Sequence, residues 1–508
     1  MFKPVSVFDI PLLLDMICGM LDPQDIGNCA SCSKEWYSFF GPYRFQYVYI
    51  IKSNRAKHTF LLNNSHHIRG LEINLGHFGT FVDSNCNRLQ NLTLGFIYEE
   101  DEESDREDDE PDDMELDEVK INKPACAAKL IQGSPSLRAL HLSSGMNGYN
   151  PLYREKTYRY ARPLDKPILE VISGHRFLTK LEVTLWITCR MYGTLLNHLP
   201  QQLQELIVSE NTKRLRNHRR CSNQSCLFMS RTSVLSIRRL GVMHFPPCLS
   251  YGAFIHLLRL CPELEELTVP RQPDFLNDMA RVVEALDSNC KRLHTLRQRD
   301  GLAIENIGVL LKGFSKGFRR LYLTTVAARY TEDPEWRNRR FLETLSTTAS
   351  VNTLEVLEYR WDDDKGEHFI TILKNCPQLR VFRVVSQRYL ENARVDLSDL
   401  VESMDESWKC WNTLEELSLK IVNRRAVLAH HLKKARCRRT AQDARKLYLR
   451  LRSFPKLTTL AIEWQLITKG DERLGMTLTL DDLNEDAVKS GSEAITKEDA
   501  AWMGLRLK

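Results

Sequence analysis

The chain has 508 residues, 43% of them hydrophobic, which is more than one hydrophobic core can hold, so two modules or a repeat array are expected. Its net charge of +5 is the small remainder of 71 Lys and Arg against 66 Asp and Glu, and no stretch approaches the ~18 uncharged apolar residues that a membrane span requires. Fourteen cysteines are too dilute for a disulfide scaffold and point to reduced, mostly buried thiols, as in a cytoplasmic or nuclear protein.

The first feature in chain order is "FDIPLLLDMICGMLDPQDIGNCASCSKEW", residues 8–36. Asp9, Pro11 and Asp15 interrupt the apolar core that a signal peptide needs. The apolar residues instead recur at Ile10, Leu13 or Leu14, Ile17 and Leu21, the spacing of one helix face. Asp22, Pro23 and Gln24 predict a turn, and Asp25 a cap for a second helix with Ile26, Cys29 and Cys32 inward. Trp36 follows at the next step.

From residue 68 to residue 462 one phrase recurs: an apolar residue, two others, Leu, one other, then an aliphatic. Examples are "LQNLTL" (89–94), "LRALHL" (137–142), "LEELTV" (264–269) and "LEELSL" (414–419), at spacings of 21 to 48 residues. The shorter spacings match a leucine-rich repeat, and the longer ones are that unit with loop insertions. Residues two apart point to one side of a strand, so Leu140 and Leu142 enter a core while His141 points away. Helices are expected between copies, as at "NDMARVVEALDSNC" (277–290), with Met279, Val282, Val283 and Leu286 on one face. Cys86, Cys261, Cys290, Cys376 and Cys410 each stand just before a repeat's first Leu, the place of a small thiol filling a tight corner.

Two segments carry opposed charge. Residues 99–118, "EEDEESDREDDEPDDMELDE", hold fifteen acids and one arginine, and the repulsion predicts a disordered loop. Residues 420–452 hold twelve Lys and Arg against Asp443, with helical spacing at Val427, Leu428, Leu432, Leu447 and Leu451. Together with "KRLRNHRR" (213–220), this block makes binding of nucleic acid or an acidic partner the alternative function.

No catalytic signature is found. "GVLLKGFS" (308–315) has the two glycines of a phosphate loop but Phe314 where its lysine belongs. The Cys29/Cys32 pair lies on a predicted amphipathic helix without a second pair and reads as core packing. His218, Cys221, Cys226, His244 and Cys248 match no strong zinc spacing, so neither metal nor cofactor is expected.

Ile10, Pro11, Leu14, Ile17, Leu21, the Asp25-Ile26 pair, Cys29, Ser33-Lys34 and Trp36 resemble an F-box. With the leucine-rich phrase behind it, the chain resembles the F-box/leucine-rich-repeat adaptors of SCF ubiquitin ligases, of the divergent fungal type. The resemblance implies an α/β chain: a three-helix F-box over 1–45, first repeats over 46–98, an acidic loop over 99–123, a solenoid with a curved parallel sheet over 124–470, and a C-terminal cap over 471–508. It also implies docking on the Skp-type linker, and through it the cullin, by Ile10, Pro11, Leu14, Ile17, Leu21 and Ile26. An unidentified protein target would lie on the residues that alternation turns to the concave face. Those are Glu182, Thr268, Arg297, Tyr322, Glu358, Arg360, Arg383, Ser418, Lys420 and Glu463, with Tyr322, Arg360 and Arg383 foremost because aromatic and Arg side chains dominate interface energetics.

Overall fold

Every copy of the phrase between Ile68 and Ile462 forms a strand. The computed structural model describes residues 10–50, 61–74, 86–96, 123–143, 166–184, 189–208, 232–242, 251–269, 276–298, 304–323, 334–360, 367–385, 395–396, 408–422 and 433–465, with 59, 81, 400, 401, 403, 496 and 498. The chain divides into two compact units, Met1–Cys261 and Pro262–Lys508. The acidic run 99–118, the basic stretch 213–220, the residues His218, Cys221, Cys226, His244 and Cys248, and almost all of 471–508 lie outside the described residues.

In the first unit, strands β1 (Tyr47–Ile50), β2 (Gly70–Asn74), β3 (Asn91–Gly95), β4 (Ala139–Ser143), β5 (Lys180–Thr184), β6 (Glu205–Val208) and β7 (Arg239–Val242) pair in sequence order, all parallel. The second unit holds β8 (Glu266–Val269), β9 (Thr295–Gln298), β10 (Arg320–Leu323), β11 (Val356–Arg360) and β12 (Val381–Val385), likewise in order and parallel. There β14 (Glu416–Val422) pairs with β12, with the short β13 (Val395–Asp396) and with β15 (Thr459–Gln465). Parallel neighbours need a crossover, and helices such as Lys123–Gln132, Lys166–Gly174, Leu276–Asn289 and Ile304–Gly313 supply it. This is the α/β leucine-rich-repeat architecture.

The three apolar positions of the phrase form the core. Its first residue is buried from Ile68 and Leu89 to Leu379 and Leu414, and the two strand positions are buried as Leu71/Ile73, Leu140/Leu142, Leu267/Val269 and Leu417/Leu419. Each such side chain contributes about 1.5–3 kcal/mol. The expected helix face of Met279, Val282, Val283 and Leu286 is buried, with Ala285 added to it. At the last strand Leu457 and Leu460 are only half-buried. The turn into β10 uses Gly317 at φ 69°, where a Cβ would meet the backbone of Ala349 and Ser350 at 2.7 Å.

Three expectations are corrected. β1 adds a repeat that the Leu-based phrase overlooks, because Val48 and Ile50 fill the core positions of "FQYVYI" (45–50). The second helix runs Pro23–Cys32 and is capped by Asp22, whose Oδ1 accepts from the Asp25 N–H at 2.8 Å; proline at the first helical position makes the preceding residue the cap. Cys32 faces solvent with its thiol on the Asn28 carbonyl at 3.3 Å, and Ala30 takes the inward place.

Cys86, Cys261, Cys290, Cys376 and Cys410 are all buried at the corner that leads into a strand. Burial pushes the thiols of Cys290, Cys376 and Cys410 up to about 12. At pH 8 only about 10⁻⁴ of such a thiol is ionised. With iodoacetamide at pH 8, these three should stay unmodified in the native protein while Cys32 reacts promptly, as read by peptide mass spectrometry. Prompt labelling of Cys376 without unfolding would contradict the corner assignment.

Candidate functional site

The N-terminal module is three short helices, α1 (Pro11–Met20), α2 (Pro23–Cys32) and α3 (Lys34–Phe40). Their shared core is Leu14, Cys18, Ile26, Ala30 and Phe40, with Ile17, Leu21, Cys29, Trp36, Phe39 and Tyr43 packed against it. Burial, and then the nearby Asp15 carboxylate, lift the Cys18 thiol to about 11. Ser33 caps α3, its hydroxyl accepting from the Trp36 N–H at 3.1 Å.

This core divides the residues expected to dock on the linker. Leu14 and Ile26 face the interior, while Ile17 and Leu21 are half-buried against it. Ile10, at the N-cap of α1, is 41% exposed, and the side chain of Pro11 lies outside the described residues. The apolar surface that α1 does present is Leu12, Met16 and Met20, exposed by 70%, 52% and 81%. These are four apart, one stripe of the helix. They are as periodic in sequence as the buried stripe, so spacing alone does not tell the two apart.

The module is fixed to the repeats through Asp15. Its Oδ1 accepts the Tyr43 hydroxyl at 2.5 Å and pairs with Arg69 Nη2 at 3.0 Å. Burial, together with that bond, raises the Tyr43 hydroxyl above its usual range. Arg69 immediately precedes β2, and its own N–H donates to the Gln46 carbonyl at 2.9 Å.

The second candidate surface is the outward side of the strands. In the second unit, register places Thr268, Arg297, Tyr322, Glu358, Arg383 and Ser418 in one row across β8 to β14. Arg297 lies 3.9 Å above the Tyr322 ring and also bonds Glu266. Arg383 grips Glu416 with two bonds, of 2.6 and 2.8 Å, and approaches Glu358 at 3.7 Å. The Glu416 bond raises the Arg383 pKa further. Thus Arg297, Tyr322, Glu358 and Arg383 meet in one self-paired lattice. Arg360 aligns with Val385 and Lys420 with Glu463, one pleat beyond that row; the side chains of Arg360, Lys420 and Glu463 lie outside the described residues.

In the first unit the matching row is Tyr49, Glu72, Thr93, His141, Glu182 and Ile207. His141 Nε2 sits 3.1 Å from Thr184 Oγ1 and 3.9 Å from Glu182, and burial lowers its pKa. Lys180 reaches Glu205 at 3.0 Å and Glu182 at 4.0 Å. On the basic helix Lys433–Arg452, Ala444, Arg445, Leu447, Tyr448 and Leu451 are buried, Arg450 covers the Trp411 ring at 4.4 Å, and Arg452 donates to the Tyr448 hydroxyl at 2.8 Å. Among the described residues no group of three or more His, Cys, Asp or Glu is placed to hold a metal, and no helix is long and apolar enough to cross a membrane.

Replacing Asp15 by Ala leaves the Tyr43 hydroxyl and Arg69 without their shared acceptor. The expected cost to the module is about 1–2 kcal/mol, discounted because both charged groups keep solvent contact. In hydrogen exchange, the α1 and α2 amides should exchange faster while β4–β6 are unchanged, with Asp15→Asn intermediate because it retains an acceptor for Tyr43. Equal acceleration throughout the unit would contradict a local tie.

No protein-family model matches the chain, and no curated protein matches it. Among solved structures it is similar to the crystal structure of the Rad7 and Elc1 complex in yeast, at 13% identity and a TM-score of 0.39, over 83% of this chain and 86% of that one. It is also similar to the leucine-rich repeat-containing protein LegL7 from Legionella pneumophila, at 11% identity and a TM-score of 0.34, over 71% of this chain and 92% of that one.

Proposed function

We propose that the protein is a non-enzymatic adaptor of an SCF ubiquitin ligase. Its N-terminal module docks on the Skp-type linker, which connects it to the cullin, and the outward strand face of the repeats holds a protein target. The observation that carries this reading is α1 itself. One side builds the core through Leu14 and Cys18, and the other leaves Leu12, Met16 and Met20 open to solvent. A helix that merely capped the repeats would gain nothing by exposing three large apolar side chains, whereas a docking helix requires them. Ile10 stands at the N-cap ahead of the stripe, Ile17 and Leu21 flank it, and Leu14 and Ile26 act by holding the helix in shape.

The self-paired charges of the second unit suit target recognition. Arg297 and Arg383 are already oriented by Glu266, Tyr322 and Glu416, so little rotamer freedom remains to be lost on binding. Ubiquitin transfer itself would come from the ligase's RING subunit and its conjugating enzyme. The alternative, a nucleic-acid or acidic-partner scaffold, would use the helix Lys433–Arg452, but Arg445, Arg450 and Arg452 are committed to packing against this chain.

The test is co-purification of the full chain with the Skp-type linker. Leu12→Asp combined with Met16→Asp should abolish retention with the thermal midpoint unchanged, since both side chains already face water. Leu14→Asp should lose retention through unfolding of the module, visible as lost helical signal. Undiminished retention by the Leu12/Met16 double variant would refute this docking face.

A further inference from the structure

One acid on the outward strand faces differs from the others. Glu182 and Glu205 face Lys180, Glu205 also faces Arg239, and Glu266, Glu358 and Glu416 face Arg297 or Arg383. Glu72, on β2, faces no cation among the described residues. Its row neighbours are Tyr49 on β1 and Thr93 on β3. Burial raises the pKa of this carboxyl, with no charged neighbour contributing. A half-buried acid without a counter-charge is a cost to the folded chain that a bound cation would offset.

The surroundings of Glu72 suit a cation. Tyr49 and Tyr47 are 67% and 49% exposed. The Tyr47 ring lies over Gly70, where an added Cβ would come within 2.5 Å of it. Beyond Gly70 the neighbouring row continues with Asn91 and Ala139, so the floor beside the two rings is low and uncharged. Exposed aromatic faces next to a carboxylate are the combination that takes an ammonium or guanidinium, by cation–π contact on one side and an ion pair on the other.

Charge at longer range favours the same ligand. The run of fifteen acids begins at residue 99, three residues past Phe96, whose N–H still bonds Ser143 at the end of β3. The sequence that follows β3 is thus strongly negative, and charge of that sign would attract a basic partner over about a Debye length.

We propose that the outward face of β1–β3 receives a lysine- or arginine-bearing segment of a basic protein partner, the cation seated on the Glu72 carboxylate beside the Tyr49 ring. This names the chemistry of the target and rests on the reading of the strand face as the target-binding surface.

The test pans the full chain against a randomised dodecapeptide display library and measures the selected peptides by fluorescence anisotropy, beside versions with every Lys and Arg changed to Gln. Selected peptides should be rich in Lys and Arg. Glu72→Gln and Tyr49→Ala should each weaken them at least about tenfold. Glu72→Gln should melt at or above the temperature of the parent chain, because it removes an uncompensated charge, which separates a binding role from a structural one. Peptides without an excess of Lys or Arg, or an affinity unmoved by either variant, would overturn the proposal. If Arg383→Ala or Tyr322→Ala weakens the peptides instead, the target face survives in the second unit and this assignment fails. If no variant of either face has an effect, both fail.

Discussion

A single backbone carbonyl in each repeat accepts two successive N–H groups from the next. Gln46 takes Arg69 and Gly70, Arg69 takes Gln90 and Asn91, Gln90 takes Arg138 and Ala139, and in the second unit Arg319 takes Glu355 and Val356 and Glu415 takes Thr458 and Thr459. The bond pair sits one residue before each strand and sets its register, because a slip by one would turn every core side chain outward. Loops of very different length can then lie between strands without changing what meets across them. The outward side chains stack about 4.8 Å apart in straight rows, whatever separates them in sequence.

Those rows are where function can vary without loss of fold. Just before the strands of the second unit, Arg319 bonds Glu355, and Arg380 bonds Glu415 at 2.9 and 3.0 Å, which holds the Glu415 carboxyl below its ordinary pKa. Three residues further along the chain, Arg297, Glu358 and Arg383 repeat the alternation. Exposed pairs of this kind contribute little to stability singly, but they fix the direction of each guanidinium. Among the described residues the outward strand face of the first unit carries such pairing only from His141 and Lys180 onward, and its opening rows combine tyrosines, Gly70 and an acid that faces no cation. Within the first unit the outward face thus changes from open to self-satisfied on a constant backbone.

Much of this was legible in the residues. Leucines spaced two and three apart specify strand, direction and core, and they located β2 to β12, β14 and β15 as well as the thiol corners. β1 escaped because its phrase has Val48 where the others mostly have Leu, although an aliphatic there serves the core equally. The solvent-facing stripe of α1 was not legible for a different reason. That helix is apolar around most of its circumference, so Leu14 with Ile17 and Leu12 with Met16 are equally periodic, and only the positions of Ile26, Ala30 and Phe40 decide which stripe is interior. Likewise, the alternation that turned Arg297 and Arg383 outward could not reveal Glu266 and Glu416 as their partners, because register across strands 30 or so residues apart is a tertiary property.

Asp15 connects the two surfaces. The adaptor role proposed above requires partners held at a set separation, which a flexible linker between modules would not do. Here the carboxylate on α1 is bonded to Arg69, one residue ahead of β2, and Glu72 lies three residues further along the same stretch of chain. The path from the exposed stripe of α1 to the outward face of β2 therefore runs through one ion pair and one strand, both of them ordered. The Tyr43 hydroxyl, sharing the same carboxylate oxygen, ties the connection into the module's own core. A charge placed on a helix that is otherwise apolar serves to orient the stripe beside it.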